Sequence, residues 1–120
     1  MDRIRPLFLL LAGLMGAAGV GLAAAATHLG SETLLRPASM MCLAHAPALL
    51  ALYAGHRQIR TATSAGLVLA IGTLLFAGDL SMKQFAGASL FPMAAPTGGI
   101  LMMLGWLIAG FGAFFRTRQD

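Results

Sequence analysis

Four apolar stretches, Leu7–Ala26, Ala38–Ala54, Ala62–Ala77 and Ile100–Phe115, occupy most of a 120-residue chain, and they predict that its solvent is a lipid bilayer. A helix needs about 20 mostly apolar residues to cross the hydrocarbon core, within a range of roughly 17–25. The first stretch reaches that length outright. The others reach it by adding Pro37, by running on to about Met82, or by starting near Pro96. Charged residues make up 10% of the chain, against about 25% in a soluble domain. The expected fold is therefore an all-α, four-helix transmembrane bundle forming a single domain, with helices at about residues 7–26, 37–54, 62–82 and 97–115.

The positive charges orient the bundle. Arg3 and Arg5 precede the first helix, Arg57 and Arg60 separate the second and third, and Arg116 and Arg118 follow the fourth. Four crossings put these six on one side, leaving only Arg36 and Lys83 on the other. Short basic segments stay on the cytoplasmic side, so both termini are expected inside (N-in/C-in). The net charge of +4 is thus accounted for by topology. It forms no patch of the kind nucleic acid requires, and no nucleic-acid partner is expected.

Residues 1–26 also resemble a secretory signal peptide, with Ala24-Ala25-Ala26 as a cleavage site. The apolar run exceeds the 7–15 residues of a signal h-region, so the segment is expected to stay as the first transmembrane helix. Cys42, the one cysteine, admits no internal disulfide and reads as a small packing residue.

The cytoplasmic connection, residues 55–61, is short and implies an antiparallel hairpin of helices 2 and 3. The outer connections are longer. Pro37 suits the first turn of helix 2. Residues 83–95 are expected along the interface, with Phe85 and Phe91 touching lipid, and Pro96-Thr97-Gly98-Gly99 is expected to break regular structure before helix 4.

Two helices carry stripes of small residues. Gly13, Ala17, Gly21, Ala24 and His28 fall on one face of helix 1. Gly98, Met102, Gly105, Ala109 and Gly112 fall on one face of helix 4. Lipid tails are as apolar as the helices, so close backbone approach drives association, and small residues permit it. Both stripes are expected to pack within the bundle or, as a sharper reading, against a partner protein or a second copy.

Ionisable groups within a membrane are costly and need a reason. His28, His45, Asp79 and Lys83 all fall in the expected outer half of the bundle. Asp79 and Lys83, four residues apart, can meet on one helical face. His28, His45 and Asp79 are expected to converge near the outer leaflet, because a polar group facing hydrocarbon loses its hydration without compensation. Such a set could serve structure, relay protons or bind a transition metal, with Met41 and Cys42 on roughly the face of His45. No spacing matches a specific ligand motif, and no cofactor is expected. The chain lacks G-x-S-x-G, H-E-x-x-H and a phosphate-binding glycine loop, so no enzyme activity is expected. It matches small multidrug exporters in size only, since helix 1 holds no glutamate.

Several segments resemble one family. The run from Gly16 to His28 is similar to the glycine- and alanine-rich stretch, ending in histidine, of the bacterial domain of unknown function 423 family. His45-Ala-Pro-Ala-Leu-Leu50 resembles its Tyr-His-Ala-Leu-Ala-Leu segment, and Gly72-Thr-Leu-Leu-Phe-Ala-Gly-Asp79 its Gly-Ile-Leu-Leu-Phe-Ser-Gly motif. Ala95-Pro-Thr-Gly-Gly99 and Gly105-Trp106-Leu107 resemble its closing motifs. The order is the family's, over roughly residues 10–115. Cys42-Leu43-Ala44 stands where the family commonly has Gln-Met-Tyr, which weakens Cys42 as a metal ligand. The resemblance implies a four-helix, multi-pass protein of the bacterial inner membrane and supplies no activity.

These readings favour a non-catalytic accessory or structural subunit, surrounded by the bilayer and packed against a larger membrane complex or a second copy. One rival is a small transporter or proton-linked channel using His28, His45 and Asp79, although the inner halves of the helices are apolar. Another is a metal- or haem-binding helper.

Overall fold

The computed structural model describes residues 4–115. Four helices follow in chain order, α1 (Arg5–Leu29), α2 (Leu35–Ala54), α3 (Ala62–Ala86) and α4 (Ala94–Phe111), and a 3₁₀ turn, Gly112–Phe114, prolongs the last. With that turn counted, each is long and apolar enough to cross a membrane. No strand occurs among the described residues. Both ends of the described chain lie beside the 55–61 connection, Arg5 bonding Tyr53 and Thr61 bonding Ile108. Arg3, Arg116 and Arg118, three of the six charges that set the expected orientation, lie outside the described residues.

Each helix packs chiefly on its neighbours in sequence: α1 on α2, α2 on α3, and α3 on α4, with α1 touching α3 lightly. One core forms where α1, α2 and α3 meet, around Phe8, Met15, Leu49, Leu52 and Leu69. Phe8 of α1 lies over Gly66 of α3, where a Cβ would collide with its ring. A smaller core, with Cys42, Ala77, Leu80 and Ala95, sits towards the other end.

The small-residue stripe of α4 packs as expected. A Cβ on Gly98 would stand 2.6 Å from the carbonyl oxygen of Gly72, and one on Gly105 would stand 2.6 Å from the side chain of Leu69. Gly112 lies against Thr61, whose hydroxyl donates to the carbonyl of Ile108 at 2.6 Å. Ala109 is half-buried against the core.

The stripe on α1 does not. Gly13, Ala17 and Gly21 are exposed, and nothing lies within 4 Å of a Cβ built on Gly13 or Gly21. The buried face is instead Phe8, Ala12, Met15, Gly19 and Ala26. At about 100° per residue that face is roughly half a turn from the expected one. Gly19 is the point of close approach: a Cβ there would stand 2.7 Å from the Leu43 side chain, and the hydroxyl of Ser39 donates to the Gly19 carbonyl at 2.7 Å.

The ends of the helices also differ from expectation. Gly30 closes α1 in the left-handed region at φ 64°, and the amide of Ser31 reaches back to the carbonyl of Ala26 at 2.9 Å, a glycine-based C-terminal motif. The segment Pro96-Thr97-Gly98-Gly99 does not interrupt structure, because α4 already begins at Ala94. Proline is tolerated there, since amides of the first turn have no helical acceptor. Pro47 lies within α2 and leaves the Leu43 carbonyl without its usual helical donor.

Candidate functional site

Three places concentrate what chemistry the bundle has. The first is the junction of α3, α4 and the connection between them. Asp79 is fully buried near the end of α3. Its Oδ1 accepts the amide of Leu90 at 2.8 Å. Its Oδ2 accepts the amide of Ala95 at 3.2 Å and lies 3.4 Å from Nζ of Lys83. The residue flanking α4, Met93, makes no side-chain cap and is held at φ 68°, a conformation that costs a non-glycine residue about 1–2 kcal/mol. A carboxylate from another helix therefore supplies the cap that α4 lacks. Its charge suits the positive end of the helix dipole. The expected meeting of Asp79 and Lys83 is found.

The second is near mid-helix. His45 is buried, and its Nδ1 lies 2.8 Å from the carbonyl of Met41, one turn earlier. Its Nε2 is 3.0 Å from the indole Nε1 of Trp106 on α4. An indole nitrogen can only donate. His45 Nε2 is therefore the acceptor, and the ring proton sits on Nδ1, donated to Met41. The rings are tilted at 57° with centroids 5.7 Å apart. Because α2 starts at Leu35, His45 lies about 15 Å along it at about 1.5 Å per residue. That is the middle of the 20-residue helix.

His28 is exposed in the last turn of α1. The expected convergence of His28, His45 and Asp79 is thus not what the bonding shows, since each of the two buried groups is satisfied by partners of its own. Backbone amides supply what Asp79 needs, and a backbone carbonyl and an indole supply what His45 needs. No group of three His, Cys, Asp or Glu side chains among the described residues could hold a metal ion.

Two further tethers carry no signal in residue spacing. Ser31 accepts the amide of Leu35 at 3.0 Å and donates to Oε1 of Gln84 at 2.6 Å, tying the α1–α2 turn to α3. At the opposite end Arg5 donates to the carbonyl of Tyr53 at 3.2 Å and stacks over its ring, 5.0 Å from the centroid. Trp106 was detectable in principle, because an indole N–H within an apolar helix needs an acceptor.

The third place is the outward face of α1. Gly13, Ala17, Gly21 and Ala24 leave its backbone uncovered, and a notch of about 400 Å³ lies beside it, lined by Leu9, Ala12, Gly13, Ala46, Pro47 and Leu50. The outward face of α4 contrasts with it: Ile100, Met103, Leu104, Leu107 and Phe111 are all large and exposed.

A sequence model of the family described as protein of unknown function (DUF423) matches residues 15–99. The chain belongs to that family. The matched region holds His28, His45 and Asp79 and stops short of Gly105-Trp106-Leu107, so one partner of the His45–Trp106 pair lies outside it. No solved structure matches the chain.

Proposed function

We propose that this protein is a non-catalytic membrane subunit that packs against a larger membrane complex through the outward face of α1. The uncovered backbone at Gly13, Ala17 and Gly21 carries the reading. In lipid, small residues let another helix approach closely, and here they face away from the bundle's own core. The notch beside Gly13 would receive a partner's side chains. The buried polar groups support the same view. Asp79 bonds the α3–α4 connection and the start of α4, and Nε2 of His45 joins α2 to α4, so both groups serve packing. By charge, the end bearing Arg57 and Arg60 is cytoplasmic, and the family resemblance points to a bacterial inner membrane.

The test compares the wild type with Gly21→Leu by native electrophoresis of membranes dissolved in mild detergent. The wild type should run in an assembly larger than the monomer. Gly21→Leu should release it with helical content unchanged, because the space beside Gly21 is open within the monomer. A wild-type protein that runs as a monomer, or an assembly indifferent to this substitution, would overturn the proposal.

A further inference from the structure

Two contacts between α1 or its turn and α3 lie far apart. Towards the end carrying residues 55–61, Phe8 lies over Gly66. At the opposite end, Ser31 bonds Gln84. Between them lies a groove of about 270 Å³, walled by Leu14, Ala18 and Leu22 of α1 and by Leu74 and Gly78 of α3, with Cys42 of α2 at its floor. It turns away from the Gly13–Gly21 stripe and shares no residue with the face proposed above as an interface.

Shape selects what can lie there. Leu11 and Leu22 both line it, so it runs about 16 Å along α1 at about 1.5 Å per residue. A helix is about 10 Å across with its side chains, and the contacts at the two ends of the groove keep one from settling along it. A single extended hydrocarbon chain is thin enough to lie between them. Its wall is apolar along its length until Ser81, at the end nearest Gln84.

We infer that this groove binds one acyl chain of a membrane phospholipid, entering sideways from the bilayer, with the polar part of the lipid at the Ser81 and Gln84 end. The chain completes the packing of α1 on α3 where the protein's own side chains leave it open. A lipid held this way exchanges more slowly than the lipid around the large side chains of α4.

The full-length protein would be reconstituted into phosphatidylcholine vesicles containing a small fraction of phosphatidylcholine with a photoactivatable diazirine on its acyl chain. After illumination, adducts would be located by mass spectrometry. Adducts in the segments 11–22 and 74–81 should exceed those at Met103 and Leu107, which report ordinary surrounding lipid. Ala18→Phe fills the groove and should lower groove labelling to the α4 level, with α4 labelling unchanged. Ile71→Phe, exposed on α3 and outside both the groove and the α1 face proposed above, should leave both unchanged. Equal labelling of the groove and α4 in the wild type overturns the inference, as does groove labelling that survives Ala18→Phe in a protein of unchanged helical content. The wild-type comparison decides the matter even if Ala18→Phe fails to fold.

Discussion

Gly72 of α3 and Gly98 of α4 each occupy the space that the other's side chain would need. A Cβ on Gly72 would stand 2.8 Å from the carbonyl oxygen of Gly98, and one on Gly98 would stand 2.6 Å from that of Gly72. The neighbours are backbone atoms and cannot turn aside. Gly98→Ala should therefore force α3 and α4 apart and cost about 1–3 kcal/mol, the range for overpacking a tight interior. Gly99→Ala meets nothing within 4 Å and should be nearly neutral. Unfolding in detergent mixtures measures both. Equal stability of the two variants would contradict the close approach.

The His45–Trp106 bond should appear as a coupling. Trp106→Phe strands Nε2 of His45, and His45→Leu strands the indole N–H. Together they should cost less than the sum. Interhelical bonds of this kind in membranes average about 0.6 kcal/mol and reach about 1.7, so a double-mutant cycle should give a value in that range. His45→Gln keeps an acceptor for Trp106 and should be milder than His45→Leu. Strict additivity would show that the two side chains do not interact.

Asp79 should govern the α3–α4 connection more than it governs the helices. Asp79→Asn exchanges one acceptor oxygen for a donor, so the amides of Leu90 and Ala95 can no longer both be satisfied. Hydrogen exchange at Leu90 and Ala95 should quicken by about tenfold or more, reporting local opening, while the middle of α3 around Leu69 stays protected. Lys83→Met removes only the half-exposed partner and should quicken exchange less. Unchanged protection at both amides in Asp79→Asn would refute the capping role.

Topology is open to direct test. In a Cys42→Ala background, Gln58→Cys and Ser89→Cys lie in exposed connections at opposite ends of the bundle. A membrane-impermeant thiol reagent should reach Ser89→Cys from outside intact cells and Gln58→Cys only after the membrane is opened. Labelling of both from one side would contradict four crossings.

The four helices were legible from length and apolarity alone, and the Asp79–Lys83 pair from its spacing. The seam of α4 was legible because its other positions, such as Leu104, Trp106 and Leu107, are bulky, so only one face offers close approach. Helix α1 carries small residues all round, with Gly16 and Gly19 on one side and Gly13, Ala17 and Gly21 on another. Inside lipid no polarity difference marks which side is buried. Phe8 and Met15 were the better guides, since a large side chain fully enclosed by helices identifies the inward face. The Asp79 cap was hidden for a different reason. Its partners are backbone amides of another segment, and backbone groups leave no trace in residue identity.

The neighbour-by-neighbour packing of α1 on α2, α2 on α3 and α3 on α4 bears on how the bundle is made. Helices emerge from the ribosome in sequence, and here each later helix finds its main packing surface on the helix made just before it. The last helix gains its terminal cap only from Asp79 of the helix before it. Most of the packing can therefore form in the order of synthesis, while Phe8 of α1 waits for Gly66 of α3 and His45 of α2 waits for Trp106 of α4.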